Sequence, residues 1–377
     1  MWHSQHPLEH DACLTRFSRE GKRTSLLLRR NSTQKNHDIS SIVFIKRFLT
    51  MKNHASADFQ AAFFRNAQDV VLRRMHFDDV SPGETIVQVE ACGICGTDIS
   101  AILRGTTEYQ QVGHEIAGRV LDAGATSRRV VLESSSACGR CHPCRNGHPD
   151  LCADVKSFFA RPYFGIAERM LSPEISVLDY DGMSPEVATL SEPLGVAIDL
   201  CETAGITPYS TVLVAGLGPI GLMAVRLAKL AGAAKIYAST FSPREKRNEL
   251  ALEFGADELL FEDEKPLAER KLDPAPDRIL STVPPSFIGG CVAPAARGAV
   301  IVYIGVGHGA TDRVTFPAND FHFKKLQLRS SFASPALRTP MALDLLRSGR
   351  MDGERLISHR FPLADAAEAI IDVVTKS

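Results

Sequence analysis

The sequence predicts an α/β protein in which a doubly wound parallel sheet is joined to a second, β-rich unit. Three observations carry that reading. From Thr211 to Leu328, nearly continuous apolar runs ("TVLVAG", "AAKIYAS", "DRILST", "GAVIVYIG", "KKLQLRSSF") take turns with helical periods ("LMAVRLAKLAG", "EKRNELALEFGA"). Strands that are apolar on both faces belong in a parallel sheet covered by helices on both sides. From Asp58 to Val89, shorter apolar runs are punctuated by turn signals such as "SPGE", and "ETIVQVEACGICG" alternates as a half-buried strand does. Finally, 377 residues with 44% hydrophobic and 23% charged side chains exceed one ordinary domain and suit a chain with one or two sizeable cores.

Taken in order, residues 1–50 are polar, rich in Arg, Ser and His and without sustained periodicity, so they are expected to form a disordered extension outside the fold. Met51 follows directly, which suggests an upstream start. A transit peptide is the rival reading, weakened by Glu9, Asp11, Glu20 and Asp38. Residues 51–193 are then expected to form the β-rich catalytic domain, 194–331 the parallel-sheet domain and 332–377 a return to the first, closing with the short strand and helix of "LISHRFPLADAAEAIIDVV".

Charge excludes some functions. Forty-three basic against forty-four acidic side chains leave a formal charge of -1, so there is no general pull toward nucleic acid or anionic membranes, and a small molecule is the expected partner. The apolar runs near Val212 and Val300 are interrupted by glycine and fall short of the roughly 20 residues needed to cross a bilayer. Nine cysteines, four of them in one loop, fit metal binding in a reducing compartment better than scattered disulfides, which places the protein in the cytoplasm.

The run "TVLVAGLGPIGLMAVRLAKLAG" sets Gly216, Gly218 and Gly221 at G-x-G-x-x-G spacing, with Pro219 and Ile220 between them, directly after a strand and before a helix. This is the Rossmann signature. The first glycine permits the turn, the second lets backbone approach a pyrophosphate, the third packs helix on strand, and the helix N-terminus offers N–H groups to the phosphates. An acidic residue about 20 positions on would grip the ribose 2′-hydroxyl of NAD. That position falls near Thr240, where Ser239, Ser242, Arg244, Lys246 and Arg247 stand and no carboxylate does, so NADP is favoured over NAD. The plain alternative is that these basic residues form a solvated helix face.

Two further constellations concern metal. Cys138, Cys141, Cys144 and Cys152 have C-x2-C-x2-C-x7-C spacing, which lets one loop wrap four thiolates round a tetrahedral ion. Such a site has no open position and its work is structural; zinc is the default, an iron–sulfur cluster or disulfides the alternatives. Chemistry then falls to three short pieces, "GICGTD" around Cys95, "GHE" around His114 and "LSEPLG" around Glu192. One thiolate, one imidazole and one carboxylate balance Zn2+ and leave its fourth position open. Taken singly, each piece reads equally as a satisfied structural residue.

In this order the motifs resemble the zinc-dependent alcohol and polyol dehydrogenases of the medium-chain dehydrogenase/reductase family, over residues 55–377. The resemblance implies a GroES-like β fold for the catalytic domain, interrupted by the cofactor domain, one catalytic and one structural zinc, and a homodimer or homotetramer. It places Cys95, His114 and Glu192 as catalytic-zinc ligands, Glu115 as the neighbouring carboxylate that exchanges with water on the metal, and Thr97 as the hydroxyl that takes the alcohol proton. A glutamate as third ligand is similar to the sorbitol (iditol) and threonine dehydrogenase branches, and Cys92 reads as a packed thiol. Four features depart from the family: Ser100 stands where a relay histidine is usual, the Cys95–His114 loop is short, a "GDRV"-like turn is missing before Cys138, and the chain stops at Ser377 where relatives usually add a strand. The implied activity is oxidation of a secondary alcohol or polyol to a ketone with hydride transfer to NAD(P). The rivals are oxidation of a threonine-like amino alcohol at its 3-position, a non-catalytic NADPH-binding protein, and a zinc-ribbon module for nucleic acid. The last is opposed by the few basic residues near the loop, Arg140, Arg145 and Lys156.

Overall fold

The computed structural model describes residues 42–45, 58–77, 79–120, 127–160, 164–241 and 244–376. Two sheets organise them. The first has seven strands, in the spatial order Val177–Asp179, Arg128–Leu132, Glu115–Val120, Glu84–Gly93, Ile42–Ile45 and His359–Pro362, with Arg169–Pro173 pairing Glu84 to Gln88 on the edge that Ile42–Ile45 continues. A hairpin, Phe59–Asn66 with Asp69–Met75, lies beside it. The alternation read in "ETIVQVEACG" is real at its start, but the strand is buried along its second half, from Glu90 to Gly93, because pairing on both edges and cover on both faces take over there. Phe59, Phe64, Val87, Ile116 and Met170 fill the core of this part, closed by Ile370 and Val374 of the helix Ala366–Lys376.

The second sheet is all parallel. Its six strands run in the order Glu258–Phe261, Lys235–Thr240, Thr211–Ala215, Arg278–Ser281, Val300–Tyr303 and Gln327–Ser330. Val212, Leu213 and Val214 are fully buried, which stabilises the central strand by about 1.5–3 kcal/mol per side chain. The helices Ser191–Ala204 and Pro219–Leu230 cover one face, and Leu213, Ile279 and Ile301 point into a separate cluster on the other. This is the doubly wound arrangement that the unbroken apolar strands predict.

One boundary differs from the expected one. Ile42–Ile45, inside the stretch expected to lie outside the fold, is a strand of the first sheet, antiparallel to Glu84–Gly93 and parallel to His359–Pro362. Four β-forming residues suffice because the sheet supplies partners on both sides. The rest of residues 1–50 lies outside the described residues. After residue 332, Ser334 and Ala336 bond Ser135 and Leu343 packs with Ala117 and Val131 of the first sheet, while Ala342, Leu345, Leu346, Met351 and Leu356 pack with the core beneath the parallel sheet; His359–Pro362 then joins the first sheet as a strand. Before Cys138, where the "GDRV"-like turn is missing, the strand Arg128–Leu132 is followed by the two-residue Ser135–Ser136.

Candidate active site and zinc-binding loop

The four-cysteine loop is compact. The ligand atoms of Cys138, Cys141, Cys144 and Cys152 all lie within 4.8 Å of one another, and no other group of three or more His, Cys, Asp or Glu among the described residues is drawn together that tightly. Backbone N–H groups aim at the sulfurs: Cys138 N–H donates to Cys152 Sγ at 3.3 Å, Cys141 N–H to Cys138 Sγ at 3.4 Å and Ala153 N–H to Cys141 Sγ at 3.4 Å. Those of Cys144 and Ala153 hold the Cys141 thiol down at about 6. Burial pushes Cys144 the other way, up to about 12, so backbone stabilises the thiolates of Cys138 and Cys141, and the four clustered sulfurs fit a closed tetrahedral zinc site.

The second constellation is assembled from three places. Cys95 precedes the helix Gly96–Arg104, His114 precedes the strand Glu115–Val120, and Glu192 sits in the first turn of Ser191–Ala204. Asp98 ties the first two together. Its Oδ2 accepts the Cys95 N–H at 3.0 Å, and its Oδ1 accepts the Gly113 N–H at 3.2 Å and faces His114 Nδ1 at 3.3 Å. Held through Nδ1, the imidazole presents Nε2 to a ligand, the arrangement that orients metal-bound histidines. The Cys95 thiol lies within hydrogen-bond reach of His114 and, at 3.7 Å, of Thr97 Oγ1. Ser134 Oγ donates to Glu192 Oε1 at 3.3 Å. Glu115 is buried against Gly93, where a Cβ would stand 2.0 Å from its Oε2, so only glycine leaves room for that carboxyl group.

The electrostatics of this pocket suit a cation. Burial pushes the Glu115 carboxyl up to about 8, with Glu192 adding to the effect. Burial also raises Glu192 and the Cys95 thiol, each eased by His114. Burial works against the His114 imidazolium, but Asp98, Cys95 and Glu192 together carry it well above the usual histidine range. Three carboxyl groups and a thiol around one imidazole are a poor buried set without a cation and a suitable donor set with one. Cys95 stands beside Thr97 and His114, and His114, Glu115 and Glu192 act on one another electrostatically, but among the described residues only the four-cysteine loop brings its ligand atoms within 4.8 Å of one another. Ser100 instead accepts from Arg104 Nη1 at 2.7 Å, and Cys92 is a buried thiol whose Sγ approaches the Gly93 carbonyl at 3.4 Å. Phe159, half exposed, lies beside His114 with ring centroids 5.8 Å apart and stacks on toward Phe158 and Phe164.

The glycine loop closes the picture. Gly216 has φ +98°, and a Cβ there would meet Thr282 Oγ1 at 2.6 Å; at Gly221 it would meet the Gly216 carbonyl at 1.9 Å. Thr282 Oγ1 donates to the carbonyls of Ala215 and Gly216, both at 3.1 Å, and pins the turn. Pro219 opens the helix and Ile220 packs on the core beneath it. The turn forms one end of a cavity of about 570 Å³ whose wall includes Gly216, Gly218, Ser239, Thr240, Arg244 and Arg247. Ser242 lies outside the described residues, and Lys246 does not reach the wall. A carboxylate missed in the sequence, Glu262, does: it follows the neighbouring strand, and its Oε2 is taken up by the Leu267 N–H at 3.0 Å.

Comparison with known proteins decides the family. Residues 81–182 match the alcohol dehydrogenase GroES-like domain, and residues 219–348 match the zinc-binding dehydrogenase domain. The chain belongs to the zinc-dependent medium-chain dehydrogenases. This dehydrogenase is 26% identical over 339 residues to sorbitol dehydrogenase of Bacillus subtilis (strain 168), covering 85% of this chain and 95% of that protein. It is 30% identical over 334 residues to "Probable D-xylulose reductase A" of Emericella nidulans, with 81% and 91% covered. Its fold is similar, at a TM-score of 0.74 and 27% identity, to that of a zinc-binding dehydrogenase target from Sinorhizobium meliloti 1021 bound to NADP, covering 84% of this chain and 96% of that one. It is an NAD(P)-dependent oxidoreductase of alcohols or polyols. No helix among the described residues is long and apolar enough to cross a membrane.

Proposed function

We propose that the dehydrogenase oxidises a secondary alcohol or polyol to the ketone at the pocket of Cys95, His114, Glu115 and Glu192, passing hydride to a nicotinamide cofactor seated on the glycine loop. The carrying observation is the mutual perturbation of these four side chains, His114 and Glu115 buried and Cys95 and Glu192 half buried, in a chain of this family. Cys95, His114 and Glu192 would hold a catalytic zinc, with Glu115 as the exchanging carboxylate; such an ion supplies positive charge to an alcohol oxygen, and NAD(P) supplies the hydride acceptor.

The chain's own residues do the rest. Thr97, beside Cys95, takes the proton of the alcohol. Asp98 keeps the imidazole in one orientation, and Ser134 does the same for the Glu192 carboxyl. Phe159 and its aromatic neighbours shield the pocket from water on the His114 side. On the wall of the cofactor cavity, Thr240 and Arg244 take the ribose 2′ substituent, which favours NADP; Glu262 on the same wall has Oε2 committed to the Leu267 N–H and Oε1 without a hydrogen-bond partner among the described residues. Eight described cysteines without a disulfide support a reducing, cytoplasmic setting, and the family resemblance supports a homodimer or homotetramer.

The test is turnover of purified protein against polyols and simple secondary alcohols with NAD and NADP in parallel, before and after zinc removal by chelation. The proposal expects ketone formation that zinc removal abolishes and zinc return restores. Full turnover in zinc-free protein contradicts it.

A further inference from the structure

The strand Glu84–Gly93 delivers Cys95 to the active site, and its two edges are satisfied differently. One edge pairs with Glu115–Val120 from Val87 to Gly93, with a register shift between Val89 and Ala91. The other is shared end to end: Glu84 to Gln88 pair with Arg169–Pro173, the Val89 N–H reaches the Glu168 carbonyl at 3.0 Å, and Ala91, Cys92 and Gly93 pair with Ile45, Phe44 and Val43. On its far side, Ile42–Ile45 pairs in parallel with His359–Pro362. Take Ile42–Ile45 away and the backbone of Ala91 to Gly93 has no strand on that edge, two residues before Cys95 and at the glycine against which Glu115 is packed. His359–Pro362 would be detached from the rest of the sheet. The segment is short, made of Ile, Val and Phe that suit an extended backbone, and separated from the next described residue by positions 46–57.

We infer that the cleft between Glu84–Gly93 and His359–Pro362 is a strand-acceptor site, that its occupant is the chain's own segment Ile42–Ile45, and that this occupancy holds the Cys95 turn in register for catalysis. Recognition is by strand addition: main-chain hydrogen bonds to both neighbours supply the binding, in antiparallel register on one side and parallel register on the other. The turnover readout below rests on the proposed function; the peptide-binding readout does not.

The experiment compares the full chain with residues 51–377, alone and with a synthetic peptide of residues 38–49. Residues 51–377 are expected to turn over at least about tenfold more slowly than the full chain, to bind a fluorescein-labelled peptide saturably and one to one, and to recover turnover with it. The same peptide carrying Phe44→Pro, which removes a ladder donor, is expected neither to bind nor to restore. Full turnover by residues 51–377 together with no peptide binding overturns the inference. If residues 51–377 do not fold, Phe44→Pro in the full chain decides: loss of turnover with zinc retained in the four-cysteine loop supports the site, and behaviour identical to the unsubstituted chain overturns it. A full-length dimer that the peptide separates into monomers names a second copy's strand as the occupant and overturns the intrachain assignment. Should the intact chain oxidise no alcohol, the proposed function fails while peptide binding still decides the acceptor site.

Discussion

The four-cysteine loop and the active-site pocket both present sulfur to an ion, yet they are built on opposite principles. The loop's ligands come from fifteen consecutive positions, 138–152, are half buried, and include two thiols, Cys138 and Cys141, that backbone N–H groups push toward the thiolate, while burial pushes Cys144 up to about 12. The pocket's proposed ligands come from positions 95, 114 and 192, with His114 and the neighbouring Glu115 buried and Cys95 and Glu192 half buried, and burial pushes the thiol and the two glutamates toward the protonated form. The loop is ready for a cation and has room for nothing else. The pocket is electrostatically incomplete, and relieving that costs less when an ion and a polar substrate oxygen arrive together. A structural site is thus local and preformed, a catalytic one non-local and dependent on the whole fold.

That contrast breaks most visibly at His114. His114→Ala removes a pocket ligand and is expected to lower kcat/KM by on the order of 10³-fold or more, because several kcal/mol of oxygen-charge stabilisation goes with the ion. Cofactor affinity, read by fluorescence titration with NADPH, should stay within about twofold, since the glycine loop is untouched. Asp98→Asn keeps the ligands but loosens the orientation of His114, and steady-state kinetics should show a loss of about 10- to 100-fold.

On the other side of the comparison, Cys144→Ala opens the loop without touching the pocket. Its effect is expected in thermal unfolding, as a lower Tm and the loss of one zinc per chain, while the protein that remains folded at low temperature keeps most of its turnover. The smallest effect sharpens the contrast by pH. In zinc-free protein the Cys141 thiol, held down at about 6, gains thiolate as pH rises through that value, while Cys201 and Cys291, pushed up to about 12 by burial, stay protonated. Iodoacetamide between pH 6 and 8 should therefore label Cys141 well before Cys201 or Cys291 by mass spectrometry. Equal labelling would mean that the loop does not stabilise thiolates.

The same division explains what could be read in the sequence. The glycine fingerprint and the cysteine loop are contiguous patterns whose spacing carries their geometry, and the unbroken apolar strands announce the parallel sheet. Cys95, His114 and Glu192 were legible as ligand types but became a set only through the resemblance, because nothing local ties position 192 to position 95. Asp98 escaped notice as the residue that orients His114, although its place three positions after Cys95, with its carboxylate on the Cys95 N–H, is a capping signal. Glu262 reaches the cofactor cavity from a neighbouring strand, a placement no spacing rule anticipates. Ile42–Ile45 was hidden for another reason. A four-residue strand carries no measurable periodicity, and its partners His359–Pro362 are more than 300 positions away.

The most direct test of the shared pocket is zinc per chain, measured alongside turnover, in the unsubstituted protein and in Cys95→Ser. Two zincs and activity falling to one zinc and no activity, with NADPH still bound, is the predicted result. Two zincs retained with turnover intact would mean that Cys95, His114 and Glu192 hold no common ion.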